Sequence, residues 1–150
     1  MEEKWMKEAL KEAQKAYDKE EIPVGAVIVK DNTIIAKAHN LKELKKTVIA
    51  HAEILAIQKA NKKLQNWRLL NCDLYVTLEP CMMCLGAIIS SRIKNIYIGT
   101  IDPKNEERAV EDRLKEYEEK YGINIKIGIL QEECEHILKK FFKDLRKNGG

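Results

Sequence analysis

The sequence predicts an α/β fold, a three-layer α/β/α sandwich around a mixed five-stranded sheet. Three observations lead to this prediction. The predicted elements follow the order α-β-β-α-β-α-β-α-β-α. A short turn joins the first two strands, which makes them an antiparallel pair. Helices separate the later strands, and such crossover connections imply parallel pairing with helices on both faces of the sheet.

The first part of the chain predicts a helix, a hairpin and a second helix. Residues 2–19 carry apolar side chains at three- and four-residue spacing, which is typical of an amphipathic helix. Pro23 precedes the apolar run VGAVIVK, and Asp31-Asn32 separates this run from TIIAKAH, which predicts a β-hairpin. A second helix is predicted over residues 51–64. Its inward side chains are expected to be Ile54, Leu55 and Ile57.

The middle of the chain predicts a strand, a helix and another strand. Residues 73–78 form the third predicted strand of the chain, which ends at Glu79-Pro80. Residues 81–91 then form a helix with Pro80 at its start, where a missing N–H is tolerated. Residues 95–99 are the next strand. This order places a strand end directly before the helix that begins at Cys81.

The last part of the chain predicts two helices around one strand. Residues 105–121 form a helix that Gly122 ends, as expected of a residue just past a C-terminus. The segment INIKIGIL is a strand, and residues 131–146 form the final helix. Residues 148–150 are expected to be a disordered tail. The apolar face of the final helix carries Cys134, Ile137, Leu138, Phe141, Phe142 and Leu145.

The composition limits the class of protein. The chain has 150 residues, 45% hydrophobic and 34% charged, which suits a single domain spanning residues 1–150. Its net charge of +3 is too small to indicate nucleic-acid binding by itself. The sequence contains no apolar run long enough to span a membrane, and its N-terminal segment lacks the apolar stretch of a secretion signal. We therefore expect a cytoplasmic protein, in which four cysteines favour metal or core thiols over disulfides.

Two cysteines and one histidine are placed to bind a metal ion. Cys81 and Cys84 are three residues apart at the start of a helix, so both sulfurs share one face. The partial positive charge of a helix N-terminus favours thiolates. His51 begins another predicted helix, and a ligand set of two thiolates and an imidazole is typical of zinc. The sequence thus predicts a zinc ion between two helix N-termini.

Glu53 lies two residues after His51, where it can reach the same centre without binding the metal. Three protein ligands leave one position open, which is typical of catalytic zinc. The alternatives are a closed structural site, with His39 as the candidate fourth ligand, and a redox-active cysteine pair. The redox pair leaves His51 and Glu53 without a role. Cys134 is expected in the core, Cys72 far from the site and His136 at the surface.

The order of these residues matches the H-x-E…P-C-x-x-C signature of zinc deaminases. The segments EIPVGAVIVKD, AHAEILAI, NWRLLNCDLYVTLEPCMMCLGAIISSRI and EECEHILKKFFKDLRK resemble bacterial tRNA adenosine deaminases, which belong to the cytidine deaminase superfamily. The resemblance covers about residues 1–102 and 123–146. It implies the cytidine deaminase-like fold and zinc-dependent hydrolytic deamination of a base. It also implies a homodimer.

The resemblance assigns roles to particular residues. His51, Cys81 and Cys84 would hold one zinc ion per chain, and Glu53 would move protons. Asn40 would hydrogen-bond the base, although its position alone is that of a turn residue. The Ala52 N–H and Leu78 would surround the reacting carbon. The other predicted substrate contacts are Pro23, Val24, Asp102 near the target sugar, and Phe142 from the last helix.

Three hypotheses for the substrate follow. The first is adenosine in tRNA or single-stranded nucleic acid, because the cluster KKFFKDLRK mixes cations with aromatic rings, though it is also typical of a solvated face beside a core stripe. The second is a free base or nucleoside such as cytosine, cytidine or guanine. It stays open because residues 47–49 and the segment after Asp102 differ from the family pattern. The third is a redesigned deaminase scaffold, which the surface rich in Lys and Glu permits and the intact Glu53 disfavours.

Overall fold

The structure is a computed structural model that describes residues 1–147. The predicted tail, residues 148–150, lies outside the described residues. Within residues 1–147 the chain forms six helices and five strands. These are α1 (Glu2–Asp18), β1 (Gly25–Lys30), β2 (Thr33–His39), α2 (Lys42–Lys45), α3 (Ala52–Leu64), β3 (Cys72–Leu78), α4 (Met82–Ser90), β4 (Asn95–Thr100), α5 (Glu107–Tyr121), β5 (Asn124–Ile127) and α6 (Gln131–Lys147).

The strands form one mixed sheet in the order β2-β1-β3-β4-β5. β1 pairs antiparallel with β2 and with β3, whereas β3–β4 and β4–β5 are parallel. β1 and β2 thus form the predicted antiparallel hairpin, and β3, β4 and β5, joined through α4 and α5, form the predicted parallel pairs. The connection through α3 gives no parallel pair, since β3 lies beside β1 and runs antiparallel to it. The prediction of a mixed five-stranded sheet is confirmed.

Helices cover both faces of the sheet. Alternate side chains of β1 point to opposite faces, as strand geometry requires. Ala26 and Ile28 pack in the core under α3, α4 and α5, whereas Val27 and Val29 pack against α1 and α6. The protein therefore has the predicted three-layer α/β/α arrangement.

Some local expectations were wrong. The sequence did not predict α2, which has four residues and no buried side chain. Leu145 is 49% exposed and Ile54 is half-buried, so neither points fully into the core as expected. The buried face of α3 instead consists of small residues together with Glu53 and Ile57. A helix packed closely on a sheet needs small side chains at the contact, and apolar spacing alone does not identify them.

One edge of the sheet collects the strand ends that matter for the site. Gly25 at the start of β1 pairs with His39 at the end of β2, and Leu78 pairs with Thr100 at the ends of β3 and β4. Helices α3 and α4 begin at this edge. A Cβ atom at Gly25 would lie 1.9 Å from the Ala9 carbonyl oxygen, so only glycine lets β1 approach α1 this closely. Among the described helices, none combines the length and apolar character that crossing a membrane needs.

Candidate active site

The two helix starts at this edge carry the predicted metal ligands. His51 is the residue before α3 and Cys81 the residue before α4, and both have extended backbone conformations. Neither side chain caps its own helix. Both side chains are therefore available at helix N-termini, where the backbone N–H groups favour negative charge.

The three predicted ligands lie together. His51 Nδ1 is 3.4 Å from Cys84 Sγ and 3.7 Å from Cys81 Sγ. All three ligand atoms lie within 4.8 Å of one another. Tetrahedral zinc bonds of about 2.3 Å to sulfur and 2.0 Å to nitrogen place such atoms roughly 3.6 Å apart. The observed separations fit one ion of this kind.

The electrostatics of the cluster also fit a bound cation. Burial raises the pKa of the Cys84 thiol, and the nearby Glu53 and Cys81 raise it further. Burial, together with the Lys42 charge, lowers the pKa of His51 and so favours the neutral imidazole that binds metals. A buried thiolate beside a carboxylate needs positive charge, which a divalent cation supplies.

The other cysteines and histidines lie away from this cluster, which is the only such group of potential ligands found within residues 1–147. Cys72 and Cys134 are buried in the core and His136 is exposed, as the sequence predicted. His39 contacts Glu12 Oε1 through Nδ1 at 3.0 Å and Lys19 Nζ through Nε2 at 3.0 Å. His39 is therefore engaged elsewhere and is not a fourth ligand.

Glu53 lies beside the cluster and is only 3% exposed. Burial raises the pKa of its carboxyl group to about 7, against which a backbone hydrogen bond and the Cys84 thiol act. Its carboxylate is not one of the three clustered ligands. Glu53 is thus a buried carboxyl group with a raised pKa, next to the candidate metal cluster and not part of it.

An open cleft of about 750 Å³ leads to this cluster. The predicted contact residues Val24, Asn40, Leu78, Asp102 and Phe142 all line it, as do His51, Glu53 and Cys81. The cleft is large enough for more than one base.

Two predicted contacts do not reach the cleft. Pro23 is buried and is not among the residues that line it, although Ile22 and Val24 on either side are. Ala52 is also absent from the lining, and its N–H donates to Asn40 Oδ1 at 2.8 Å. The Ala52 N–H therefore has a partner within the protein, and its predicted place around the reacting carbon stays a prediction.

The same hydrogen bond orients the amide of Asn40. A backbone N–H can only donate, so the atom facing Ala52 must be the amide oxygen. Within residues 1–147 no partner is found for Asn40 Nδ2, and Asn40 lines the cleft. The amide nitrogen is thus available to donate to a ligand in the cleft.

Sequence reasoning missed the charged residues around the cleft. Glu21 is 2% exposed and accepts hydrogen bonds from the N–H groups of Glu43 and Leu44, which fixes α2. Glu79 is also buried. The cleft is further lined by Lys42, Lys104 and Arg113. The sequence offers little sign of these roles, because carboxylates and lysines are normally exposed.

Comparison with known proteins shows that the chain is similar to several deaminases. A family model described as MafB19-like deaminase matches residues 1–146. The tRNA-specific adenosine deaminase of Bacillus subtilis (strain 168) is 47% identical over 144 residues, which are 95% of this chain and 89% of that protein. A solved structure from studies of A-to-I editing by tRNA:A34 deaminases at the wobble position of transfer RNA has a TM-score of 0.81 and 40% identity. That match covers 90% of this chain and 99% of the other.

A guanine deaminase structure from Bacillus subtilis is also similar, with a TM-score of 0.64 and 39% identity over 73% of this chain and 68% of that chain. Relatives with different substrates thus share the fold. The resemblance inferred from the sequence is confirmed, and the chain belongs to the MafB19-like deaminase family.

Proposed function

We propose that this protein is a zinc-dependent deaminase that converts adenosine to inosine in tRNA. The observation that carries the proposal is the buried Glu53 beside the His51, Cys81 and Cys84 cluster at an open cleft. A deaminase needs this combination, because water must be activated and a proton must be moved.

The donor set supports zinc as the cofactor. His51, Cys81 and Cys84 would hold the ion and leave one coordination position open, as in catalytic zinc sites. Zinc bound there would supply a Lewis acid that activates water for attack on a ring carbon.

Glu53 would move the protons. In the metal-free protein, burial raises the pKa of its carboxyl group to about 7, which favours proton uptake by this group. Glu53 would take a proton from the attacking water and deliver protons to the ring nitrogen and the departing amino group. Water replaces the amino group, so adenosine and water give inosine and ammonia.

Other cleft residues would hold the nucleotide. Asn40 Nδ2 would donate to the base, with Val24 and Leu78 as apolar neighbours. Lys42 and Lys104 line the same cleft, and the Lys104 ammonium lies 5.0 Å from the centre of the Phe142 ring. Cations and an aromatic ring at the cleft suit a phosphate-linked substrate better than a free base. The name of the Bacillus subtilis relative supports tRNA as that polymer, and a tRNA substrate would place the enzyme in the cytoplasm.

A panel of substrates tests this proposal. The zinc-loaded protein is incubated with a tRNA anticodon stem-loop, single-stranded DNA, adenosine, cytosine, cytidine and guanine, and ammonia release and product mass are measured. We expect inosine in the stem-loop as the main product. Activity on free cytosine or guanine alone would contradict the proposal.

Deamination of a free base is the second candidate function. It is favoured by the 39% identity to the guanine deaminase from Bacillus subtilis. The same panel decides between the two, since a guanine deaminase releases ammonia from free guanine and leaves the stem-loop unchanged.

A homodimer is also part of the proposal. Val48, Ile49 and Met82 are 66%, 49% and 82% exposed and lie next to the metal ligands in the sequence. Exposed apolar side chains grouped near one site are typical of an interaction surface. Sedimentation should give twice the chain mass, and Met82→Lys should shift the protein towards the monomer. A monomer at all concentrations would contradict this part of the proposal.

A further inference from the structure

Glu79 is a buried carboxylate to which the deamination chemistry gives no role. Its side chain is 5% exposed and lies between the end of β3 and Cys81. Oε1 accepts hydrogen bonds from the Asp102 N–H at 2.8 Å and from Asn105 Nδ2 at 3.0 Å. A buried carboxylate is costly unless such partners are present, so these contacts hold it in one position.

The second oxygen of Glu79 faces the same segment. Oε2 lies 3.5 Å from Arg113 Nη2 on α5, which is an ion-pair distance. Within residues 1–147, Oε2 has no hydrogen-bond partner. The side-chain hydrogen bonds and the ion pair of Glu79 found within residues 1–147 thus all go to residues 102–113, which join β4 to α5 and include the first half of that helix.

This stretch begins with a tight turn at the cleft. Asp102 Oδ1 accepts from the Lys104 N–H, and the Asp102 carbonyl accepts from the Asn105 N–H, both at 2.9 Å. Asp102, Lys104 and Asn105 all line the cleft. The turn therefore brings one residue with a carboxylate, Asp102, and one with an ammonium group, Lys104, to the lining of the cleft.

We propose that Glu79 is a positioning residue for substrate binding. It holds the turn of residues 102–105 so that Asp102 and Lys104 face the sugar and phosphate of a nucleotide in the cleft. A carboxylate accepts from a ribose hydroxyl and an ammonium group pairs with a phosphate. The inference rests on the proposed function, because a free base has neither group.

Glu106 provides a matched control. Its carboxylate also accepts two hydrogen bonds, from the N–H groups of Arg108 and Ala109, and it caps α5. Glu106 is exposed and does not line the cleft. Substitution of Glu106 therefore removes a carboxylate from the same region without touching the turn.

The test compares Glu79→Ala, Arg113→Ala and Glu106→Ala. KM and kcat are measured on the tRNA anticodon stem-loop, together with zinc content. RNA affinity is measured separately in a Glu53→Gln background, where turnover does not interfere. Glu79→Ala should raise KM and Kd about tenfold and change kcat less than about twofold, because two buried donors lose their acceptor. Zinc content should stay unchanged.

The other variants show which contact of Glu79 is responsible for the expected rise in KM. Arg113→Ala should raise KM no more than about threefold, since the Arg113 side chain of this ion pair is half exposed and such pairs contribute little. Glu106→Ala should leave KM and kcat unchanged. If Glu79→Ala does not fold, Glu79→Gln keeps an oxygen for the two donors but loses the ion pair with Arg113, so it should raise KM and Kd about two- to threefold.

Several results would overturn the inference. Unchanged KM and Kd in Glu79→Ala would overturn it. An effect of Glu106→Ala as large as that of Glu79→Ala would also overturn it. So would unchanged KM and Kd in Glu79→Gln. A fall in kcat with loss of zinc would show that Glu79 supports the metal site instead. Failure of the proposed function is seen separately, in a wild-type protein that does not convert the stem-loop.

Discussion

At the scale of single residues, the proposed activity depends on where Glu53 is held. An exposed glutamate is ionised at neutral pH and is a weak proton donor. In the metal-free protein, burial raises the pKa of Glu53 to about 7, so both protonation states are accessible near neutral pH. The position next to His51, at the start of α3, brings this carboxyl group to the metal site without occupying it.

Replacing Glu53 with glutamine should abolish most activity and preserve the fold. Glutamine has the same shape but cannot carry the proton, so kcat should fall by about 10²–10⁴-fold. Zinc content and the circular dichroism spectrum should match wild type. Asp73→Asn, at the opposite end of β3, is the control and should keep its activity. Near-normal turnover of Glu53→Gln would rule out the proton-transfer role.

The raised pKa of Glu53 also makes stability depend on pH. Between about pH 4.5 and pH 7 the folded protein holds a proton on Glu53 that the unfolded chain has released. The free energy of unfolding should therefore fall with rising pH across this range, by about 3 kcal/mol for a shift of this size. Urea unfolding of the zinc-free wild type and of Glu53→Gln at pH 5 and pH 8 measures this effect. An equal pH dependence in both proteins would contradict the pKa shift.

The metal ligands and Glu53 could be predicted from the sequence because their spacing is specific to the chemistry. His51 and Glu53 at one helix start, with Cys81 and Cys84 at another, form a set that a zinc-bound water and a proton carrier require together. Pro23 and Ala52 were predicted by resemblance, which carries no information about the direction of a side chain or the partner of an N–H. The buried Glu21 and Glu79 were missed because a carboxylate is recognised as buried only when its partners are known.

At the scale of elements, the site exists because two helices begin where the strands end. The N-termini of α3 and α4 both carry metal ligands, and their N–H groups stabilise negative charge there. α3 contacts α4, β1 and β2, whereas β1 packs closely against α1 on the other face at Gly25. The longer helices and the strands could be predicted because apolar side chains recur every three to four residues in a helix and every second residue in a strand. The helix α2 could not be predicted, because four residues are too few to show a repeating apolar pattern. It is held by hydrogen bonds to Glu21, which is distant in the sequence.

The same substitution at two glycines tests this packing. Gly25→Ala should destabilise the protein by about 1–3 kcal/mol, because the new Cβ would meet the α1 backbone. Gly86→Ala should stabilise it by about 0.5–1 kcal/mol, because Gly86 is inside α4 and a Cβ there would have no neighbour within 4 Å. Denaturant unfolding measures both. Equal effects of the two substitutions would contradict the described contact of β1 with α1.

At the scale of the whole molecule, the sheet edge, the two helix starts and the cleft meet at the proposed metal site. The three ligands come from two segments that are thirty residues apart in the sequence, between His51 and Cys81. A bound ion therefore links α3 to α4 and should stabilise the entire fold.

Removal of the metal should reduce the stability of the protein. The purified protein should hold about one zinc per chain, and a chelator should lower the unfolding temperature by roughly 10 °C. Cys81→Ser should bind zinc less tightly and show a smaller effect of the chelator. Elemental analysis and thermal unfolding measure both results, and a chelator-treated protein with unchanged stability and full activity would contradict a zinc site.

The most direct test of the account is the product formed on RNA. Zinc-loaded wild type and Glu53→Gln are incubated with a tRNA anticodon stem-loop in ¹⁸O-labelled water, and the nucleosides are analysed by mass spectrometry. The account predicts ¹⁸O-labelled inosine at a single adenosine with wild type, and almost none with Glu53→Gln. An unchanged adenosine in the wild-type reaction, or equal inosine with both proteins, would contradict it.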